Sequence, residues 1–190
     1  LPNSIRISNH QKLYDQKPIL EIKNLKTYYS LQKNIWGKTT SYVKAVDDVS
    51  FDVFPGETLG LIGESGCGKT TTGKSIIQLN DIHDGKILYK GKDVLKMNKE
   101  ELMCFRREVQ IIFQDPYSSL NPRITIGNAI MEPMKVHGIL ADDLARKKRV
   151  IELLETVNLL PEHFNNYPHQ FSGGQRQRIC IARTLAMEPK

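Results

Sequence analysis

Nothing in this sequence approaches the ~20 consecutive apolar residues of a membrane-spanning helix; its unbroken apolar runs are only a few residues long. Cysteine is scarce and odd in number. Cys67, Cys104 and Cys180 are widely spaced and fit no metal-ligand pattern, so reduced thiols in a cytosolic setting are expected. The opening LPNSIRISNHQKLYDQ lacks the basic start and apolar centre of a secretory signal. Its first residue is Leu1 rather than Met, which reads as an internal piece of a longer chain or a processed product. There is no internal repeat, no low-complexity segment and no long basic stripe. The net charge is +6, but most of the excess sits in the first fifty residues, with eight basic side chains against four acidic. The basic run Arg146-Lys147-Lys148-Arg149 follows Asp142-Asp143 on a helical pattern and reads as a solvated helix face. Nucleic acid is therefore not the expected partner. The five histidines (His10, His83, His137, His163, His169) are scattered, and surface or packing roles are expected of them.

What is present suits one globular domain: 190 residues, 39% hydrophobic, enough for a core. Residues 1–18 show no periodicity and read as tail or linker. Ile19 to Leu25 and Tyr42 to Phe54 alternate as strands do, with a polar insertion, Ser30 to Ser41, between them as a hairpin loop carrying Trp36 and Gly37. Glu57 to Gly63 and Val109 to Phe113 are short apolar runs of buried-strand character. Gly85 to Lys90 reads as a further strand. Helical patterns cover a segment ending near Leu79, Lys99 to Glu108, 125–137, 142–157 and 173–187. In 142–157, Leu144, Ile151, Leu154 and Val157 are expected on one apolar face. Buried strands feeding helices, with a helical insert, is an α/β plan.

Gly63-Glu64-Ser65-Gly66-Cys67-Gly68-Lys69-Thr70 fits G-x-x-x-x-G-K-[ST] without a gap. The residue types suit the chemistry. Glycines let successive backbone N–H groups turn inward as an anion nest at a helix start, where the dipole adds positive charge. Lys69 would reach β- and γ-phosphates, the Thr70 hydroxyl would join a Mg²⁺ shell, and Thr71 lies next on the helix. The alternative is a glycine-rich turn with a surface lysine; an apolar run before the loop and a helix after it favour nucleotide binding. A second motif, Phe171-Ser172-Gly173-Gly174-Gln175, starts its serine 103 residues after Lys69 and opens the helix 173–187. Ser172-x-x-Gln175 has the form of a capping box. Two glycines in the first turn weaken a helix by roughly 1 kcal/mol each relative to Ala. Bare backbone at a helix N-terminus is instead what a phosphate needs to come close.

With FSGGQRQRICIARTLAMEPK beside the phosphate loop, residues 19–190 resemble the nucleotide-binding domain of ATP-binding cassette (ABC) transporters, whose signature is usually LSGGQ. The resemblance implies a P-loop NTPase core with an antiparallel β subdomain and an inserted α-helical subdomain at about 115–172, incomplete at the C-terminus. It implies ATP and Mg²⁺ as ligands and head-to-tail pairing with a second cassette, in a homo- or heterodimer or fused upstream. Ser172, Gly173, Gly174 and Gln175 would then contact a γ-phosphate held by the partner's loop. Gln114, after the run 109–113, matches the Q-loop glutamine that senses γ-phosphate and Mg²⁺. Tyr29, in KNLKTYYS, matches the aromatic that stacks on adenine, with Tyr28 as the alternative. QDPYSSLNPR and the insertion before the phosphate loop resemble the second ATPase subunit of oligopeptide and dipeptide importers, to which nickel importers are close. The implied setting is peripheral, on the cytoplasmic membrane face against transmembrane permease subunits.

In that family an apolar strand bearing the Mg²⁺-ordering Asp and the water-polarising Glu follows the position of Lys190, with a D-loop and a switch His later. The 190 residues by themselves are accordingly expected to hold ATP weakly and not to hydrolyse it. Two other classes stand beside a transport ATPase. One is a nucleotide-binding module without hydrolysis; the other is a soluble ABC protein acting on nucleic acid or ribosomes, which predicts a zinc or coiled-coil insertion absent from 80–170.

Overall fold

The computed structural model describes residues 15–33 and 39–190, which divide into two compact units at Leu102/Met103. Of the expected tail, residues 1–14 lie outside the described residues, as do Trp36 and Gly37. The first unit holds a four-stranded antiparallel sheet in the order β2-β1-β3-β4. Its strands are β1 (Leu20–Lys33), β2 (Thr39–Val53), β3 (Asp84–Tyr89) and β4 (Lys92–Asp93). The hairpin is longer than the alternation predicts. Pairing runs to Lys33↔Thr39, so most of the polar insertion is strand rather than loop.

Strict alternation would put Ile22 and Leu25 on opposite faces, yet both are buried, as is Thr27. Irregular register between Ile22 and Leu25 resolves this. Asn24 sits at φ +50°; its N–H donates to Ser50 Oγ (2.8 Å) and its Nδ2 to Asp48 Oδ1 (2.8 Å). The extra step returns Leu25 to the core face; Val46, Ile87 and Val94 are the other buried aliphatics of this unit's strands and of the turn after β4.

Helix α1 (Lys69–Ile76) follows the phosphate loop, and α2 is Lys99–Glu108. Asn98 starts α2 reciprocally: its Oδ1 accepts from Glu101 N–H (2.9 Å) while Glu101 Oε2 accepts from Asn98 N–H (3.2 Å). In the second unit α3 (Ile126–Val136), α4 (Asp143–Thr156) and α5 (Gly173–Leu185) pack together. Ile126, Ile130 and Met134 make the buried stripe of α3 at steps of four. Gly127, one position on, lets the Phe164 ring lie where a Cβ would stand 2.4 Å from it.

Two expectations are corrected. Residues 57–63 and 109–113 belong to no ladder among the described residues, and Leu59, Leu61, Ile62 and Ile112 are exposed. An apolar run becomes a buried parallel strand only where neighbours flank it, and the described sheet is antiparallel throughout. On α4 the buried positions are Val150, Leu153 and Leu154, while Leu144 is 79% exposed. The core lies against the last two turns of α4, so its first turn faces water. Leu154→Ala should therefore lower stability by about 2–5 kcal/mol and Leu144→Ala by under about 0.5. Urea unfolding followed by circular dichroism would check this, and equal losses would contradict the packing.

Most of the basic run on α4 is engaged locally. Arg146 donates to Asp143 (2.8 Å) and to the Ile139 and Leu140 carbonyls, Arg149 pairs with Glu152, and the Lys147 ammonium lies 5.3 Å from the Phe164 ring centroid.

Candidate functional site

The phosphate loop is built as the sequence predicts at its helical end. Gly68, at φ +94°, is the N-cap of α1 and supplies no side-chain cap; there is no acidic residue in the first turn. The leading N–H groups of α1 are therefore left for an anion. The Gly68 carbonyl accepts from Thr72 N–H (2.8 Å) and Thr72 Oγ1 (3.0 Å), which winds the first turn tightly. Lys69 folds back over the loop. Its Nζ donates to the carbonyls of Gly63 (2.8 Å) and Glu64 (2.6 Å), with Cys67 Sγ at 3.5 Å. The ammonium is thus already held at the loop's own rim, in hydrogen bonds that phosphate oxygens could take over.

Ser65, Gly66 (φ +82°), Cys67 and Thr70 are exposed around it; Thr71 is half-buried, its carbonyl 3.4 Å from Asn80 Nδ2. Thr70 offers a hydroxyl at the helix start, and no cluster of three or more His, Cys, Asp or Glu occurs among the described residues. That donor set fits Mg²⁺ carried in on phosphate oxygens, with one or two protein oxygens completing its shell, and not an all-protein cage.

Below the loop, Ser75 Oγ of α1 and Thr27 Oγ1 of β1 lie 2.9 Å apart, both fully buried. This pair ties the phosphate helix to the strand that carries Tyr28 and Tyr29. Sequence reading missed it, since two hydroxyls 48 residues apart give no local signal. The two tyrosines differ in use. Tyr28 donates to Asp47, stacks on His83 (4.4 Å between centroids) and has the Lys44 ammonium 5.3 Å from its ring. That hydrogen bond, ahead of the Lys44 bond, holds the Asp47 carboxyl below the usual range. Tyr29 is 44% exposed and so is the one whose ring is open to a planar ligand.

In the second unit the capping box at Ser172 is present in both directions. Ser172 Oγ accepts from Gln175 N–H (3.3 Å) and Gln175 Oε1 accepts from Ser172 N–H (2.9 Å). Gly173 and Gly174 are exposed, with nothing within 4 Å of where a Cβ would be. Phe171 is buried, edge-on to His163 at 5.1 Å, and anchors the chain just before the cap. The helix start is thus fixed from below and bare above. Gln114 is exposed and is followed by a self-bonded turn. Asp115 Oδ1 accepts from Tyr117 N–H (2.9 Å), and the Asp115 carbonyl accepts from Ser118 Oγ (3.3 Å) and Ser119 Oγ (2.9 Å). The Tyr117 N–H is the main reason the Asp115 carboxyl stays below its ordinary range. Arg176 and Arg183 of α5 both reach this turn, across 59 and 64 residues of sequence that carry no local signal of the contact.

The family described as ABC transporter matches residues 46–190. The glutathione import ATP-binding protein GsiA of Shigella dysenteriae serotype 1 is 52% identical over 176 residues, 93% of this chain. GsiA of Escherichia coli K12 is 51% identical over the same length. The chain spans 28% of the length of these relatives. Among solved structures, the dimeric ATP-binding cassette MJ0796 in a post-hydrolysis state with ADP and Pi superposes with a TM-score of 0.77 at 28% identity. The match covers 90% of this chain and 70% of that one. Clostridium perfringens cbiO1 shares the fold, with a TM-score of 0.67 at 24% identity over 92% of this chain and 64% of its own.

Proposed function

The chain belongs to the ABC transporter family, and from that premise we propose that it is part of an ATPase subunit that drives import of small peptides. The oligopeptide, dipeptide and glutathione classes share a peptide backbone, and the GsiA relatives are named for the last. The observation that carries the reading is the pairing of two anion-ready helix starts in one chain. One follows Gly63 to Gly68 and carries Lys69 and Thr70; the other is the bare start at Ser172, Gly173 and Gly174.

In this reading ATP lies with its phosphates on the N–H groups of 63–71, Lys69 counters their charge and Tyr29 stacks on adenine. Thr70 and Gln114 would hold Mg²⁺, which when bound neutralises the phosphate charge that builds up during transfer. Ser172 to Gln175 face the nucleotide of a second cassette, while residues 115–172 form the helical subdomain toward transmembrane permease subunits at the cytoplasmic membrane face. Positioning and charge stabilisation supply most of such a reaction.

The test uses the full-length protein with Mg-ATP, reading phosphate release and mass by light scattering. ATP should drive pairing, and Ser172→Arg should abolish it by filling the anion pocket with a bulky side chain. ATP-dependent pairs of Ser172→Arg at parental affinity would leave Ser172 as a helix cap alone. No phosphate release by the parent would overturn the ATPase reading.

A further inference from the structure

Arg176 is a charged side chain buried to 8% exposure, yet among the described residues no carboxylate pairs with it. Burying a guanidinium without an acid is costly unless other groups take the place of water. Here Nε donates to the Pro168 carbonyl (2.8 Å), and the guanidinium carbon lies 3.8 Å from the centroid of the Tyr117 ring. The ring face is the counterpart of the charge. Seven residues along α5, two turns further on the same face, Arg183 Nη1 donates to the Ser119 carbonyl (2.6 Å).

One helix therefore grips the turn after Gln114 at two points. The turn is a stiff object to grip: Asp115 gathers Tyr117, Ser118 and Ser119, prolines 116 and 122 flank it, and Leu120 is sunk in the core. Tyr117 is 64% exposed on its outer side, so the stack is the outer edge of this contact and can be broken without opening the core.

We propose that Arg176 and Arg183 are positioning residues that lock the turn following Gln114 to the helix presenting Ser172 to Gln175, so that displacement of one is passed to the other. This rests on the nucleotide-facing reading of Gln114 and Ser172, and it adds a route between them. Arg176 begins one turn after Ser172, and Tyr117 stands three residues after Gln114. A shift of the glutamine's backbone toward a ligand therefore pulls on the stack directly.

The experiment uses the full-length protein. Tyr117→Leu and Arg176→Gln should each lower kcat for ATP about tenfold, with KM for ATP held within about twofold, because the phosphate loop is untouched. Tyr117→Phe, which keeps the ring, should stay within about twofold of the parent, and the double variant should be no worse than the worse single one. Hydrogen exchange at 115–120 should quicken about tenfold in Tyr117→Leu without nucleotide. Tyr117 is exposed, so its variants decide the matter even where Arg176→Gln fails to fold. Additive losses, failure of Phe to rescue, or a change confined to KM would overturn the proposal. If the parent does not turn over ATP, the ATPase reading falls, and exchange then decides alone. Unchanged exchange at 115–120 would overturn the lock.

Discussion

Lys69→Ala should cost the full-length protein about a hundredfold or more in Mg-ATP affinity, equivalent to about 2.7 kcal/mol. The ammonium is held at the mouth of the loop by the Gly63 and Glu64 carbonyls, with Cys67 Sγ beside it. These are bonds from a cation to neutral acceptors, and exchange for phosphate oxygens replaces them with bonds between opposite charges. The gain is the added Coulomb attraction of the ammonium for anionic oxygens, which a neutral carbonyl does not supply. Alanine removes the cation and leaves both carbonyls pointing at an incoming anion. Lys69→Arg should not restore binding, since a planar fork cannot occupy the space of a point charge among three loop atoms. Calorimetry measures both. Parental affinity in Lys69→Ala would remove this side chain from the site, and circular dichroism would show that the fold is intact, Lys69 lying at the surface of α1.

How far the sequence could be read depends on whether the determining contacts are local. The helix starts at Asn98, Asp142 and Ser172 depend on side chains that bond three residues ahead. Lys99–Glu108 and Gly173–Leu185 accordingly begin where their caps put them. The helix start at Gly68 and Lys69 was legible for the same reason: its geometry is written in consecutive residues. The runs 57–63 and 109–113 carry strand character only as apolar composition, and composition does not supply a neighbour. Leu144 and Leu154 have the same spacing logic and opposite fates, because the packed end of α4 is set by α3 and α5 and not by α4 itself.

The site divides along the same line. Ser172, Gln175, Gly68 and Lys69 act through neighbours within six residues, and their hydrogen bonds follow from the motif. Thr27 with Ser75, Tyr117 with Arg176 and Ser119 with Arg183 are separated by 48 residues or more, and nothing in either partner's surroundings names the other. Tyr29 is expected ahead of Tyr28 by resemblance alone, with nothing local to separate two aromatic neighbours; Asp47, Lys44 and His83 engage Tyr28 and leave Tyr29 exposed.

Gly68→Ala should abolish nucleotide binding while α3, α4 and α5 keep their stability. The residue sits at φ +94°, which costs an L side chain about 1–3 kcal/mol before any contact is counted. A Cβ there would lie 2.1 Å from the Ala45 carbonyl oxygen, and no rotamer moves a backbone atom. Ala45 cannot yield cheaply, because its neighbours Lys44 and Val46 are paired in the ladder with Tyr28 and Thr27. The loop must move instead. The Gly68 carbonyl anchors Thr72 twice, so moving it unwinds the first turn of α1 and scatters its leading N–H groups. Two glycines nearby separate the causes. Gly66, at φ +82° with nothing within 4 Å, should incur only the backbone strain on substitution by Ala. Gly73→Ala, inside α1 with open space around it, should stabilise by about 0.5–1 kcal/mol. Mg-ATP titration and urea unfolding of the three variants should give the order Gly73→Ala, Gly66→Ala, Gly68→Ala from best to worst. Gly68→Ala behaving as Gly66→Ala does would mean that the loop is not pressed against β2, and that strain alone selects glycine there.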